Sequence, residues 1–174
     1  MTWIEILDQY LPKVFSLPHF ISFFPLLAKG AIITVRVTVI GYAIAAVIGL
    51  FVAIVRRSRF KWLRAPVVIY VEIIRNTPLL VQLYIYYFVL PTVGIVLPAE
   101  PTAIAGLAMH FSAYLSEVYR AGLASVGRGY VEAAIALGMP PGLSMRRIQL
   151  PLAMRAIIPA MGNYLIGMFK DSAF

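Results

Sequence analysis

The sequence predicts an all-α integral membrane protein, and both its composition and the spacing of its apolar runs indicate this class. Of its 174 residues, 61% are hydrophobic, and the mean hydropathy is +0.88. A helix needs about twenty mostly apolar residues to cross a hydrocarbon core of about 30 Å. Four runs are long enough, so about four membrane spans in a single domain are expected: residues 31–55, 65–90, 102–126 and 155–174.

The distribution of charge also favours a membrane protein. The formal net charge is +8, but the basic residues are grouped between the apolar runs, whereas nucleic-acid-binding proteins spread them over a soluble domain. The absence of cysteine excludes disulfides and thiolate metal sites. By the positive-inside rule, the basic loop after the first run is cytoplasmic and the N-terminus is outside. That loop contains Arg56, Arg57, Arg59, Lys61 and Arg64.

Four expectations concern the N-terminal segment and the first span. Residues 1–30 are expected to form an external or interfacial segment, because Pro18 and Pro25 interrupt their apolar stretch. No cleaved signal peptide is expected, because Glu5 and Asp8 stand where such peptides carry positive charge. Within the first span, Arg36 is expected either to extend to the membrane surface or to line a polar pathway. Small residues recur there at every fourth position and predict a face for close helix packing. They are Gly41, Ala45, Gly49 and Ala53.

The second and third spans contain charges that need partners inside a membrane. Glu72 and Arg75 are three residues apart, so they are expected to pair with each other, and Pro78 predicts a kink. Further along, polar residues continue one helix face, which should point away from lipid: Gln82 and Tyr86, after Leu79.

In the third span, Glu117 and Arg120 are also three residues apart, and two roles for Glu117 remain open. It either forms a structural ion pair with Arg120 or belongs to a polar pathway. His110 is interpreted as a satisfied interior histidine, since no further ligands stand nearby at metal-binding spacing.

Residues 127–154 form a more polar island, expected to be a cytoplasmic loop that folds as a helical hairpin. Tyr130 to Leu137 predicts a short helix with Glu132 in its first turn, where a carboxylate suits the helix dipole. Gly138 is expected to end it in the left-handed conformation. A second short helix is expected from Leu143 to Gln149, ended by Leu150 and Pro151.

This island resembles the cytoplasmic EAA loop of the membrane-spanning permease subunits of bacterial ABC importers. The matching residues are Glu132, Ala133, Ala134, Gly138, Ile148, Leu150 and Pro151. Other strings resemble the polar amino acid uptake branch of that family, around Glu72 to Gln82, around Ala113 to Leu123, and at Lys170-Asp171-Ser172. Departures are modest: Val126-Gly127-Arg128-Gly129 differs from the usual loop entry, and Leu152 replaces a common Gln.

The resemblance implies a permease that translocates polar amino acids or related solutes. It implies that the seven matched loop residues contact a cytoplasmic ATP-binding subunit. It further implies a second permease subunit and an extracytoplasmic binding protein, in a bacterial inner membrane. Candidate residues of the solute pathway are Arg75, Thr77, Gln82, Glu117 and Asp171.

No phosphate-binding glycine loop occurs in the chain, so we expect no enzyme activity and no cofactor of its own, with ATP bound by the partner. Family members continue into a further helix, so this chain is expected to lack the last of five spans. The alternative function is a membrane channel or scaffold that is not coupled to ATP.

Overall fold

The fold consists of helices throughout residues 17–173, the part of the chain that the computed structural model describes; side chains are described for residues 21–173. The chain divides into two compact units, Met1–Arg36 and Val37–Phe174. In the first unit, the described residues form the first half of helix α1, which runs Leu17–Arg56. Large apolar side chains along it are exposed, including Ile21 and Phe24, as suits a surface that faces lipid.

Within the described residues, no helix end separates the predicted surface segment at residues 1–30 from the predicted span at 31–55. Helix α1 begins 14 residues earlier than the predicted span and contains Pro25 in its interior. Proline removes one backbone hydrogen bond and bends a helix, but an apolar environment offers no competing partners for the remaining backbone groups, so the helix continues. The expectation for residues 1–16 lies outside the described residues.

The predicted second span is two helices with a large bend between them. Helix α2 runs Lys61–Asn76 and helix α3 runs Leu79–Tyr84. A π-helical turn, Ile85–Val89, and a 3₁₀ turn, Leu90–Val93, extend α3, and the two limbs meet at 106°. The kink predicted at Pro78 is therefore a complete break, because Pro78 and the residue before it are both in extended conformations.

Helix α4, Ala99–Ala124, is the central helix of the second unit. It packs against the preceding limbs α2 and α3 and against the last helix of the chain. By length and apolar composition, two described stretches qualify as candidate membrane spans, Ile21–Arg56 and Pro141–Asp171, and the bent pair of α2 and α3 adds a third if it is counted as one span. Helix α4 does not qualify, although 102–126 is a predicted span, because it carries polar residues that the surrounding helices bury.

The hairpin that follows is formed by α5, Arg128–Ala136, and α6, Pro141–Ser144. The chain then continues through a π-helical turn, Met145–Gln149, into α7, Leu150–Asp171. The prediction that Leu150 and Pro151 end the second helix is therefore wrong. The π turn shifts the hydrogen-bond register just before Pro151, which falls in the first turn of α7, where its missing N–H is tolerated.

Two apolar clusters hold the second unit together. The larger one joins α1, α4 and α7 through buried side chains such as Val37, Leu115 and Ile157. The smaller one joins α1, α2 and α4 through Val52 and Val71, among others. The predicted small-residue face of α1 is confirmed, since all four of its members are buried in these contacts.

Candidate functional site

The hairpin of α5 and α6 is closed by backbone hydrogen bonds around Gly138. This glycine has φ +69°, and its N–H donates to Ile135 O at 2.9 Å while Met139 N–H donates to Ala134 O at 3.0 Å. The left-handed conformation predicted for Gly138 is confirmed, and it lets these bonds satisfy carbonyl groups at the end of α5. Pro140 and Pro141 then begin the next helical segment.

Most of the matched loop residues lie on the surface of this hairpin. Glu132, Ala133 and Gly138 are exposed, whereas Ala134 is fully buried beneath them. Glu132 is in the second turn of α5 and not in the first, because the helix begins at Arg128. Its predicted interaction with the helix dipole is therefore weaker than expected. Leu150 and Pro151 are exposed at the start of α7, and Ile148 is half-buried.

The hairpin also exposes apolar side chains that the sequence analysis did not single out. Tyr130, Ile135 and Leu137 are 57%, 67% and 79% exposed. They could have been recognised as apolar residues within the most polar stretch of the chain. Exposed apolar side chains and an exposed carboxylate on one short hairpin are suited to contact with another protein.

A second group of residues surrounds the carboxylate of Glu117 on α4. Its Oε1 accepts from Arg56 at the end of α1 and lies 3.6 Å from Arg75 Nη1 on α2, and its Oε2 accepts from Arg120 Nε at 2.7 Å. The predicted pair of Glu117 and Arg120 is confirmed. One carboxylate thus joins three guanidinium groups from three helices.

The predicted pair of Glu72 and Arg75 is wrong, because Arg75 points towards Glu117 instead. The guanidinium carbon of Arg75 also lies 5.5 Å from the ring centroid of Tyr114. Glu72 is exposed on α2 and accepts from Asn76 Nδ2 at 3.4 Å. An exposed pair of Glu72 and Arg75 within one helix would contribute only a few tenths of a kcal/mol. The Glu117 carboxylate on a neighbouring helix, together with the ring of Tyr114, is the more favourable partner for Arg75.

Gln82 stabilises the break between α2 and α3. Its Nε2 lies 2.9 Å from both Ile74 O and Thr77 O and 3.0 Å from His110 Nδ1. Two carbonyl acceptors require the nitrogen of the amide to face them, so His110 Nδ1 can only accept in this contact. Gln82 is 3% exposed, and its Oε1 has no hydrogen-bond partner among the described residues.

Thr77 has a similar backbone role, since its Oγ1 donates to Ile73 O at 2.7 Å. The structure thus places Thr77 and Gln82 together at the helix break, where they satisfy carbonyl groups released by the missing helical bonds. Neither residue takes part in the ion pairs of Glu117, although Arg75 of that cluster is close to them in the chain.

Two cavities lie between α4 and α7 and share Tyr164 in their linings. One has a volume of about 360 Å³ and is bordered by His110, Tyr114 and Asp171, among others. The other, of about 450 Å³, is bordered by Glu117 and small residues of both helices. Among the predicted pathway residues, only Asp171 and Glu117 border these cavities. No group of three or more metal-ligating side chains occurs in the described residues.

Comparison with known proteins identifies the family. The model of the family of binding-protein-dependent transport system inner membrane components matches residues 45–174, which include α2 to α7 and the hairpin. The chain belongs to this family. The predicted all-α membrane-embedded class and the resemblance to ABC permeases are thereby confirmed.

Individual relatives agree with this assignment. The chain is 42% identical over 151 residues to a probable amino-acid ABC transporter permease of Sinorhizobium fredii, y4tG, and this covers 87% of the chain and 65% of that protein. It is 35% identical to the L-cystine transport system permease TcyB of Bacillus subtilis, with the same coverages. The chain thus spans 65% of the length of these two relatives.

A solved structure, titled as an amino acid ABC transporter with histidines, has the same fold. It matches with a TM-score of 0.87 and 38% identity, covering 91% of this chain and 74% of that one. This chain is a member of the binding-protein-dependent transport family. Its hairpin and the helices around Glu117 are thus parts of a known permease fold.

Proposed function

We propose that this chain is the membrane-spanning permease subunit of an ATP-driven importer for amino acids or related small polar solutes. The observation that carries the proposal is the exposed surface of the hairpin, on which Glu132, Ile135 and Leu137 are all exposed. Similarity to amino-acid ABC permeases supports the solute class. The chain would lie in a bacterial inner membrane with its N-terminus outside.

The proposed partners follow from this role. A cytoplasmic ATP-binding subunit would bind and hydrolyse ATP, so no catalytic residue is assigned to this chain. A second permease subunit would complete the translocation pathway, and an extracytoplasmic binding protein would deliver the solute.

Coupling would begin at the hairpin. Leu137 and Ile135 would enter an apolar groove on the ATP-binding subunit, where burial of each side chain contributes about 1.5–3 kcal/mol at most. Glu132 would pair with a basic residue at the edge of that groove and fix its orientation. Because α6, the π turn and α7 are continuous, movement of the docked hairpin would be transmitted to α7 as a rigid body.

The proposed solute pathway is narrower than the sequence analysis suggested. Asp171, Glu117 and Arg75 are retained, since the first two border cavities and the third contacts Tyr114, a residue of the same lining. Thr77 and Gln82 are assigned instead to the helix break, because their donors are engaged by backbone carbonyls.

Co-expression with the ATP-binding subunit encoded beside its gene tests the proposal. We expect the two proteins to co-purify in detergent and the reconstituted complex to take up an amino acid only when ATP is supplied. Glu132→Lys and Leu137→Ser should each reduce co-purification at least tenfold, because they remove a charge contact or an apolar anchor from the interface centre.

Glu100 lies in the first turn of α4, at the end of that helix away from the hairpin. Glu100→Lys makes the same change of charge as Glu132→Lys and serves as the control. It should leave co-purification unchanged. Uptake that proceeds downhill without ATP would contradict the importer and favour a channel. Absence of any complex with the ATP-binding subunit would contradict the proposed coupling surface.

A further inference from the structure

The link between α1 and α2 presents a surface that the proposed function does not use. We define the basic-aromatic patch by its members: Arg57, Arg59, Phe60, Lys61, Trp62 and Arg64. All four basic side chains are exposed. The two aromatic side chains are unusually exposed as well, Phe60 at 52% and Trp62 at 72%.

The charges of this patch have no counter-charge within the described part of the chain. Arg56, which precedes it, pairs with Glu117, but none of the four basic residues of the patch forms an ion pair there. The first turn of α2 contains no acidic residue, and the next acidic residue along the chain is Glu72. The basic loop is thus divided into one arginine that holds helices together and four cations that face outward.

The aromatic side chains are held beside these cations. Phe60 N–H donates to Ser58 Oγ at 3.2 Å, and Arg64 N–H donates to Phe60 O at 3.2 Å. The ring centroids of Phe60 and Trp62 are 6.4 Å apart. The guanidinium carbon of Arg59 lies 5.7 Å from the ring centroid of Phe60. A cation and two aromatic rings therefore project from one short turn.

We propose that the basic-aromatic patch binds the headgroups of anionic phospholipids. Trp favours the interface between hydrocarbon and headgroups, and Lys or Arg beside such a surface attracts anionic lipids. The patch lies directly at the end of the long apolar helix α1, so its rings and cations would lie at headgroup depth. The inference depends on the membrane embedding of α1 and does not depend on coupling to ATP.

The fluorescence of Trp62 provides a direct test. The sequence contains two tryptophans, Trp3 and Trp62, so the Trp3→Phe variant of the full chain has Trp62 as its single reporter. This variant would be reconstituted into nanodiscs of phosphatidylcholine and phosphatidylglycerol, with bromine on the acyl chains of only one lipid at a time. At equal mole fraction, we expect brominated phosphatidylglycerol to quench Trp62 more strongly.

Paired charge variants then show whether the patch causes this preference. Arg59→Gln with Lys61→Gln should reduce the selectivity for phosphatidylglycerol by roughly 25-fold, since each of the two basic residues near an anionic surface gives about a fivefold preference. Arg146→Gln with Arg147→Gln removes the same charge from exposed positions of the π turn after the hairpin and should not change the selectivity.

Three results would overturn the inference. Equal quenching by the two lipids would show no headgroup preference, and equal losses in the two double variants would show an effect of net charge alone. Quenching by neither lipid would place Trp62 in water or against a protein partner. Retained quenching by brominated phosphatidylcholine confirms that the variants are still inserted. ATP-driven uptake is measured separately, so loss of importer function would not be confused with these results.

Discussion

At the scale of single residues, the contacts of Glu117 give the first prediction. Glu117→Gln would leave Arg56, which is 15% exposed, without a counter-charge. Removing one partner of a largely buried ion pair costs about 3 kcal/mol. We therefore expect a clear decrease in the thermal unfolding midpoint of the protein in detergent, measured with a thiol-independent dye or by circular dichroism.

Arg120→Gln serves as the matched control, since it removes a partner of the same carboxylate that is 54% exposed. An exposed pair contributes at most about 1 kcal/mol, so this variant should unfold near the parent temperature. Combining Arg56→Gln with Glu117→Gln should recover part of the loss, because the uncompensated charge is then gone. Equal destabilisation by Arg120→Gln and Glu117→Gln would contradict this account.

The same cluster shows which residue contacts can be predicted from sequence. The pair of Glu117 and Arg120 follows from helical spacing and was predictable. Arg56 and Arg75 lie 61 and 42 positions before Glu117 in the chain, and only the packing of α1 and α2 on α4 brings them to it. The expected pair of Glu72 and Arg75 failed for this reason.

At the scale of helices, the small-residue face of α1 predicts different tolerances at two glycines. A Cβ on Gly49 would lie 2.9 Å from Ser112 O and 3.2 Å from Ser116 N, both backbone atoms of α4. A Cβ on Gly41 would meet the flexible end of Met168 instead. Overpacking against a rigid neighbour costs about 1–3 kcal/mol, so Gly49→Ala should be less stable than Gly41→Ala.

Thermal unfolding of the two variants in the same detergent checks this order. Gly30→Ala is a further control, because nothing lies within 4 Å of its Cβ position. The prediction would be refuted by a Gly41→Ala variant that unfolds at or below the temperature of Gly49→Ala.

The hairpin gives the third prediction, which concerns coupling. Gly138→Val would place a β-branched residue at φ +69°, at a local cost of about 1–2 kcal/mol. No atom lies within 4 Å of its Cβ position, so the backbone conformation alone is responsible. We expect the hairpin to reorient, and ATP hydrolysis by the reconstituted complex to continue while solute uptake falls severalfold.

Gly142→Val is the control for Gly138→Val, because it lies in the same hairpin with equally open space and without a positive φ. Its ratio of uptake to hydrolysis should match that of the parent. If Gly138→Val also kept the parental ratio, the left-handed turn would have no role in coupling.

Helix boundaries show where local sequence rules succeed and fail. The end of α5 was predictable because a glycine followed by two prolines leaves few alternatives to a turn. The start of α1 and the continuation past Pro151 were not, because both depend on how the flanking backbone compensates for a proline. In each case the helix continued, once with proline in its interior and once after a π turn.

At the scale of the whole molecule, the central position of α4 explains why this helix is less apolar than a helix that faces lipid on every side. Polar groups on α4 are covered by α1, α2 and α7, so this helix need not be apolar on every face. Its 26 residues correspond to about 39 Å, enough to cross a bilayer. The average hydropathy of α4 is therefore lower than that of α1 and α7, although its apolar run at residues 102–126 already predicts a span.

The bent pair of α2 and α3 either crosses the membrane or returns to its starting side. The sides on which the flanking loops lie predict which of these it does. The basic loop and the hairpin are both proposed to be cytoplasmic, and α4 crosses between them, so the bent pair must cross as well.

The chain has no cysteine, which allows single-cysteine labelling. Val96→Cys, at a position 75% exposed between α3 and α4, should react with a membrane-impermeant maleimide in intact cells. Arg146→Cys in the π turn after the hairpin and Ser58→Cys in the basic loop should react only after permeabilisation. Protection of Val96→Cys in intact cells, with labelling after permeabilisation, would instead make the bent pair re-entrant and place α4 and the hairpin in a different topology.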